Sequence, residues 1–131
     1  MAELSSDVQA LLKKKAFAHF ATVMKDGSPQ VSPVWVDVDG DIVVINSAEG
    51  RLKDKNVKRD ARVAVSVTDP DNDYNAVMIR GRVVEITTDG ADAHIDAMAK
   101  KYMGVDSYPY RTDKEQRVIY RIAADRVSTM G

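Results

Sequence analysis

The 131-residue sequence contains no cysteine, and this absence excludes several kinds of chemistry at once. The chain can form no disulfide, bind no metal through thiolate and use no cysteine nucleophile. A chain without disulfides suits a reducing compartment, so we predict a cytoplasmic protein. Long apolar runs are also missing, since none approaches the ~20 residues of a transmembrane helix. The polar, acidic N-terminus is unlike a signal peptide.

Aromatic residues are scarce, at 6% of the chain, and the formal net charge is only −1. Barrels that bind single-stranded nucleic acid use aromatic side chains as stacking platforms. Nucleic-acid binding in general also needs a broad basic surface. We therefore weigh a small oligonucleotide-binding barrel as an alternative and expect no nucleic-acid partner.

Potential metal ligands are few as well. His19 and His94 are the only histidines, and no third ligand lies near either of them in sequence. Residues 69–73 resemble the opening of a calcium loop, but the sixth position is Tyr74 instead of glycine and the twelfth is Arg80 instead of glutamate. We predict no metal site and interpret the segment as a hairpin loop.

The sequence motifs of several enzyme classes are absent too. There is no Gly-x-Ser-x-Gly elbow, no P-loop and no Gly-x-Gly-x-x-Gly fingerprint. A Ser-His-Asp arrangement assembled by the fold stays open at this stage, and no catalytic residue is identified.

The most unusual stretch that the chain does contain is basic and runs from residue 51 to residue 62. It holds six basic and two acidic residues, a local charge of +4 in a chain whose total is −1. The pattern is that of a short helix, with Arg51, Lys55, Lys58 and Arg62 spaced to share one face. A helix N-terminus flanked by such cations suits a phosphate or a carboxylate. A solvated helix surface is the alternative interpretation.

Hydrophobic periodicity predicts a mainly antiparallel β-structure with short helices. Ser6 to Gln9 fits a capping box with Ser6 at the N-cap, and Gly104 is a plausible C-terminal stop for a late amphipathic helix. The expected helices cover 6–14, the basic stretch and 89–104, and the expected strands cover 16–24, 30–38, 42–46, 62–68, 76–87, 118–123 and 126–130.

Two residues should disturb the strands that contain them. Pro33 cannot donate a ladder hydrogen bond and predicts an edge or a bulge, and Gly81 predicts a kink or bulge in mid-strand. Short hairpin connections without regular strand–helix–strand alternation favour a small barrel over a doubly wound sheet. The length is that of one domain, which we place at 1–131.

Trp35 is the sole tryptophan and lies beside Pro33 in the expected second strand. A core position is the ordinary interpretation of such a residue. Alternatively, it could lie beside a planar ligand, because a strand interrupted by proline leaves backbone groups free to bind ring edges.

Residues 22–36 and 46–60 resemble the pyridoxamine 5′-phosphate oxidase-like split β-barrel family. The most specific part is Arg51-x-Lys53-x-Lys55-Asn56-(aliphatic)-x-Arg59-Asp60. More narrowly, the sequence is similar to the branch that uses the deazaflavin coenzyme F-420. The family usually has proline after this segment, where this chain has Ala61, and we expect the difference to affect rigidity more than chemistry.

The resemblance implies an antiparallel split β-barrel that forms a homodimer, with the cofactor in a groove between subunits. It implies a hydride transfer between coenzyme F-420 and an electron-poor, planar small-molecule substrate. The implied phosphate and acidic-tail contacts are Arg51, Lys53, Lys55 and Asn56. The implied ring contacts are Ser32, Pro33, Val34, Trp35, Val36, Asn46 and Ser47, and groove residues that could come from the partner subunit are Tyr74, Asn75, Ala76 and Arg117.

Two other functions compete with this one. An FMN-dependent enzyme of the same fold would use the same basic cluster for a single phosphate. A non-catalytic carrier would bind the deazaflavin, or a hydrophobic ligand, without turnover. The substrate, the proton donor and the direction of hydride transfer do not follow from the sequence.

Overall fold

A computed structural model describes residues 1–130 and contains seven strands and three helices among them. The elements in chain order are α1 (Ser6–Lys13), β1 (Ala18–Val23), β2 (Pro29–Val34), β3 (Asp37–Asp39), β4 (Ile42–Ala48), α2 (Leu52–Arg59), β5 (Arg62–Asp69), β6 (Asn72–Thr87), α3 (Ala91–Met103) and β7 (Arg117–Met130). None of these helices is long and apolar enough to cross a membrane.

The seven strands form one antiparallel sheet in the order β2-β1-β5-β6-β7-β4-β3. Its two edge strands, β2 and β3, are consecutive in the chain and are separated only by Trp35 and Val36. The sheet therefore curls until its edges approach each other without pairing. This is the open barrel that the sequence predicts, and the split-barrel fold class is confirmed.

The main core fills the inside of the curled sheet and is covered at one end by α1. Leu12 of α1 is fully buried, as are Phe20 of β1 and Tyr120 of β7, whose rings lie 6.2 Å apart. Val8 and Leu11 complete the buried face of α1. A smaller cluster lies under α3, where Ile95, Met98 and Tyr102 pack against Trp35 and Tyr108.

The cap of α1 differs from the expectation by one residue. Ser5, not Ser6, is the N-cap, and its Oγ accepts a hydrogen bond from the Val8 amide at 3.2 Å. The Gln9 side chain donates to the Leu4 carbonyl at 2.8 Å instead of closing a capping box. The capping-box pattern favours Ser6, but Gln9 donates to Leu4 instead, and the helix begins one residue earlier than that pattern predicts.

The expected strand over 30–38 is wrong in its length, because the chain leaves the ladder at Trp35 and Val36. The Val36 amide donates to the Tyr102 hydroxyl at 3.0 Å, and Trp35 packs on the same ring. A contact with α3 therefore replaces two ladder positions and separates β2 from β3. The edge predicted from Pro33 is confirmed, since β2 is an edge strand.

The two last strands are one strand, β7, contrary to the expectation of a break. Arg80 of β6 pairs with Arg126 and Gly81 pairs with Ala124, so Asp125 is an extra residue in the ladder. This confirms the irregularity predicted at Gly81. A Cβ on Gly81 would overlap the Ala123 carbonyl oxygen, so only glycine allows this close approach of the two backbones.

The basic stretch forms a shorter helix than its pattern suggests. Arg62 belongs to β5 and not to α2, so the predicted face of four basic residues is not formed. Leu52 is about half exposed, whereas Val57 is buried and anchors the helix. Most of the segment 69–75 belongs to strands and not to a loop, because β5 extends to Asp69 and β6 begins at Asn72 after a turn of two residues.

Candidate functional site

A cavity of about 270 Å³ opens between the start of α2, the end of β2 and the loop after α3. One side of it carries cationic side chains and the other carries aromatic side chains. The lining residues are Phe17, Pro33, Val34, Trp35, Asn46, Arg51, Lys53, Ile95, Tyr108, Tyr110 and Arg117.

Seven of the residues proposed from the sequence line this cavity. These are Pro33, Val34, Trp35, Asn46, Arg51, Lys53 and Arg117. They come from β2, β4 and β7, from the link between β2 and β3 that contains Trp35, and from the start of α2. The sheet brings them together across 85 positions of the chain, from residue 33 to residue 117.

The other proposed residues lie outside the lining of this cavity. Lys55 is exposed on α2, and Val36 and Ser47 are buried. The Oγ atoms of Ser32 and Ser47 are buried and have no hydrogen-bond partner within residues 1–130.

The side chain of Asn56 forms hydrogen bonds with other residues of its own chain. Its Nδ2 donates to Thr22 Oγ1 at 3.0 Å and to Met24 Sδ at 3.3 Å, and its Oδ1 accepts from Arg59 at 2.9 Å. These bonds tie α2 to β1, so Asn56 orients the helix that carries the cavity's cations.

Tyr74, Asn75 and Ala76 lie at the hairpin between β5 and β6. The Asn75 amide donates to Asp69 at 3.0 Å, which holds the hairpin in shape. Tyr74 is 80% exposed at its tip, which is unusual for an aromatic ring. None of these three residues is among those that line the cavity of their own chain.

The cationic side of the cavity consists of Arg51, Lys53 and Arg117. Glu115 pairs with both arginines, at 3.0 Å from Arg51 and 2.5 Å from Arg117. Burial alone would raise the Glu115 pKa, but the hydrogen bonds from Arg117 and Arg51 lower it below its usual value. Glu115 is thus held as a carboxylate between two guanidinium groups.

Lys53 lies beside these arginines, and among residues 1–130 no carboxylate is within ion-pair distance of it. Burial lowers the pKa of its ammonium group, and the charges of Arg51 and Arg117 lower it further. Only one acid therefore balances three cations here, and an anion in the cavity would relieve their repulsion.

The aromatic side is built around Trp35. Its ring stacks on Tyr102 at 5.0 Å with an interplanar angle of 3°, and Tyr108 meets it edge-on at 6.2 Å. Tyr110 packs on Tyr108 at 5.7 Å, and Phe17 lies 5.9 Å from Tyr102. Five of the chain's eight aromatic residues thus gather at one place, which favours a planar ligand.

Asn46 joins the cavity to the interior behind it. Its Oδ1 accepts from Arg117 Nε at 2.9 Å, and its Nδ2 lies 2.9 Å from the Ala91 carbonyl and 3.1 Å from His94 Nδ1. The other ring nitrogen of His94 lies 3.0 Å from Asp37. A continuous line of hydrogen bonds therefore runs from β3 through α3 and β4 to the buried arginine of β7.

The start of α2 is fixed by a buried carboxylate. Asp54 accepts from the Tyr120 hydroxyl at 2.7 Å and from the Gly50 amide at 2.9 Å, and it pairs with Lys58. Burial alone would raise the Asp54 pKa, but these donors lower it. The pKa of Tyr120 is raised by burial and by the neighbouring carboxylate. This network holds the N-terminus of α2 toward the cavity.

Sequence reasoning missed Phe17, Ile95, Tyr108, Tyr110 and Glu115. Tyr108 and Tyr110 lie between the helix expected to end at residue 104 and the strand expected to begin at residue 118, where the sequence predicts no regular element. Two tyrosines flanking Pro109 in a chain with 6% aromatic residues were the available signal. Glu115 gave no signal, because its role depends on two arginines that lie far from each other in sequence.

Two larger cavities lie elsewhere, and their chemistry differs. One of about 610 Å³ is lined by small residues of β1 and β5 together with Arg62, Arg80 and Arg126. Another of about 560 Å³ is lined by Asp37, Asp39, Glu85, Asp89, His94 and Arg121, with a few apolar residues and Thr87. No tryptophan, tyrosine or phenylalanine lines either of them, so neither offers a ring-stacking wall.

A flavin or deazaflavin cofactor combines a planar ring system with a phosphate-bearing chain, and the cavity provides partners for both. The excess of cations suits the phosphate, and Trp35 with the tyrosines suits the ring. The volume is below the ≈300–1,000 Å³ typical of small-molecule sites. The residues that line the cavity fit the two parts of such a cofactor.

The family model described as pyridoxamine 5′-phosphate oxidase matches residues 4–131. An F420 reductase is 34% identical to this chain and superposes on it with a TM-score of 0.84. The alignment covers 95% of this chain and 98% of the reductase. A conserved hypothetical protein from Mycobacterium tuberculosis is 20% identical, with coverages of 99% and 86% and a TM-score of 0.74. HupZ from Group A Streptococcus is also 20% identical, with coverages of 96% and 93% and a TM-score of 0.68. The last two show the likeness of fold alone, and the comparison with curated proteins gave no match.

Proposed function

Since the chain belongs to the pyridoxamine 5′-phosphate oxidase family, we propose that it transfers hydride between the deazaflavin coenzyme F-420 and an electron-poor, planar organic substrate. The family and the F420 reductase together support an oxidoreductase with a flavin-like or deazaflavin cofactor. We propose further that the cofactor is coenzyme F-420 and that the reaction reduces the substrate.

The observation that carries the proposal is the meeting of cations and aromatic rings in one cavity. Arg51 and Lys53 extend from the start of α2, where the first-turn amides add partial positive charge. Trp35 lies on the opposite side of the same cavity. A ligand with an anionic tail and a planar head would satisfy both sides at once.

The proposed site is completed by a second copy of the chain. The cavity of one chain is small, and the exposed Tyr74 hairpin does not line it. In a homodimer the hairpin of one subunit would cover the cavity of the other. This arrangement gives Tyr74, Asn75 and Ala76 a role in the groove and removes an exposed aromatic ring from water.

The bound deazaflavin would supply hydride chemistry, and the protein would supply orientation and electrostatics. Arg51, Lys53 and Lys55 are proposed to hold the phosphate and the acidic tail. Trp35 and the backbone of Ser32 to Val36 are proposed to orient the ring system. No protein nucleophile is needed, which suits a chain without cysteine.

The sole tryptophan makes the proposal testable by fluorescence titration. Trp35 lines the cavity, so ligands that bind there should quench its emission. We expect coenzyme F-420 to give saturable quenching at micromolar concentration and FMN to bind more weakly. Stronger binding of FMN would identify a flavin enzyme, and binding of neither would contradict the proposal. Tight binding of coenzyme F-420 without oxidation by any acceptor would indicate a carrier.

A double variant, Arg51→Ala with Lys53→Ala, tests the anion contacts. Each charge-assisted hydrogen bond contributes about 1.5–3 kcal/mol, so affinity for coenzyme F-420 should fall about 100-fold or more. Lys100→Ala is the matched control, since it removes an exposed cation from α3 outside the cavity. An unchanged affinity of the double variant, with its fold intact by circular dichroism, would rule out the anion site.

A further inference from the structure

His94 lies behind the cavity and contacts Asn46, which lines it. The hydrogen-bonding groups around Asn46 determine how the two side chains meet. The Ala91 carbonyl can only accept a hydrogen bond, and Arg117 Nε can only donate one. The Asn46 amide must therefore turn its Nδ2 to Ala91 and its Oδ1 to Arg117. The distances of 2.9 Å on both sides agree with that orientation.

The orientation of Asn46 in turn determines the tautomer of His94. The second Nδ2 proton of Asn46 faces His94 Nδ1 at 3.1 Å, so that nitrogen must carry a lone pair. In a neutral imidazole the proton then resides on Nε2, where Asp37 Oδ2 accepts it at 3.0 Å. Each donor in this line meets an acceptor only when His94 is neutral and protonated at Nε2.

We infer that His94 is a positioning residue for Arg117, because its Nδ1 lone pair accepts the second Nδ2 proton of Asn46 and so reinforces the amide orientation in which Oδ1 accepts from Arg117 Nε. The inference deepens the proposed function, since Arg117 is one of the three cations of that site. A proton on Nδ1 would confront the Asn46 amide protons. A flipped amide would instead place Nδ2 against Arg117 Nε and Oδ1 against the Ala91 oxygen. Both alternatives therefore weaken the hydrogen bond at Arg117 Nε, while the ion pair with Glu115 remains.

Other charged groups lie around His94 in the cavity on its far side. Asp37 and Asp39 face it from β3, Glu85 from β6, Asp89 from the turn before α3 and Arg121 from β7. Arg121 pairs with Asp39 at 2.9 Å and approaches Glu85 at 3.5 Å. Lys101 lies near Asp37, and Arg117 lies beyond Asn46.

Two variants of His94 separate positioning from packing. In His94→Asn the side-chain oxygen can take the place of Nδ1 and keep the bond from Asn46, while the contact with Asp37 is lost. In His94→Gln the amide reaches the position of Nε2 and keeps the contact with Asp37, while the bond from Asn46 is lost. A role in packing alone would make the two variants behave alike.

The decisive measurement uses the cofactor-free protein, so it does not depend on the proposed cofactor. The ¹⁵N–¹H signal of Arg117 Nε, assigned by its absence in Arg117→Lys, is recorded at pH 8 in each protein. We expect the signal to keep its wild-type position in His94→Asn and to shift in His94→Gln. An Arg117 signal that is unchanged in both variants, or shifted equally in both, would overturn the inference.

A pH titration adds a second readout. The ring ¹⁵N shifts of His94 should show a neutral form protonated at Nε2, and the Arg117 signal should move with the same midpoint as His94. A neutral form protonated at Nδ1, or a stationary Arg117 signal while His94 titrates, would overturn the inference. If His94 stays neutral throughout, the comparison of variants at pH 8 decides alone.

Ligand affinity then links the inference to the site. At pH 8 we expect coenzyme F-420 to bind His94→Gln about three- to tenfold more weakly than the wild type, and His94→Asn nearly as tightly. Equal weakening in the two variants would assign His94 to packing. If neither coenzyme F-420 nor FMN binds the wild type, the proposed function fails, and the Arg117 signal still tests the role of His94.

Discussion

Lys101 is a residue whose charge is costly in the folded state. Its ammonium group donates to the carbonyls of Leu12 at 2.8 Å and Val36 at 2.7 Å, which joins α1 to the link between β2 and β3. Burial lowers its pKa from 10.5 to about 8, although Asp37 acts in the opposite direction. A neutral lysine still donates to both carbonyls, so the folded state is more stable when Lys101 has lost its extra proton.

The stability of the protein should therefore rise with pH through this residue. Between pH 8 and 10.5 the unfolded chain binds a proton at Lys101 that the folded chain has released. The free energy of unfolding should increase across that window by up to about 2 kcal/mol, allowing for the partial exposure of the side chain. Urea unfolding of the wild type and Lys101→Met at several pH values measures this slope. The slope should be smaller in the variant, and equal slopes would contradict the assignment.

The sequence identified single residues well where one side chain determines the outcome. Gly81, Gly104 and Pro33 have the roles in the fold that their backbone chemistry predicts. Residues whose role depends on distant partners were not predictable. Asp54 looked like one charge in a basic stretch, yet it is 1% exposed because Tyr120 and Gly50 supply its hydrogen bonds.

The N-cap of α1 tests how well an element can be located from its sequence. Ser5 accepts from the Val8 amide, while Ser6 is the first helical residue and is exposed. Removing an N-cap hydroxyl costs about 1 kcal/mol. Ser5→Ala should therefore lower the free energy of unfolding by about that amount.

Ser6→Ala is the control for that measurement. It should change stability by no more than about 0.5 kcal/mol, since it is a surface substitution. Chemical denaturation of both variants is sufficient to compare them. A larger loss in Ser6→Ala would restore the cap position expected from the capping box.

At the scale of elements, the sequence located all three helices, but it merged β2 and β3 into one expected strand and divided β7 into two. The periodicity of 30–38 continues through Trp35, so nothing local marks the point where β2 stops. Tyr102 on α3 determines that point, 66 residues from Val36. For β7 the error is the opposite, because one strand was expected as two. The bulge at Asp125 looks like a break in the sequence, but β7 continues past it because its partner strand β6 also continues.

The proposed dimer makes a prediction about the whole molecule. If the Tyr74 hairpin covers the partner's cavity, Arg51→Ala/Lys53→Ala and Tyr74→Ala/Asn75→Ala would affect different subunits of one site. Each variant alone should bind coenzyme F-420 weakly. Unfolded together and refolded, they should form mixed dimers with one intact site, recovering about a quarter of the wild-type binding capacity.

Controls for this experiment are refolding of each variant alone and simple mixing without unfolding. Sedimentation should also show a dimer at the concentrations used. No recovery in the refolded mixture would indicate that the hairpin and the cations act within one subunit.

Trp35 and Val36 form the seam between the two edges of the sheet, and within residues 1–130 no ladder hydrogen bonds close it. The seam is held mainly by Tyr102 and Lys101 of α3, which bond to the backbone of Val36. A barrel closed by side chains can open locally while its ladders stay intact. The Val36 amide should therefore exchange with deuterated solvent well before its neighbours in β1 and β4. Such local opening of the seam would widen the cavity beside Trp35, so a bulky ligand could enter without global unfolding of the protein.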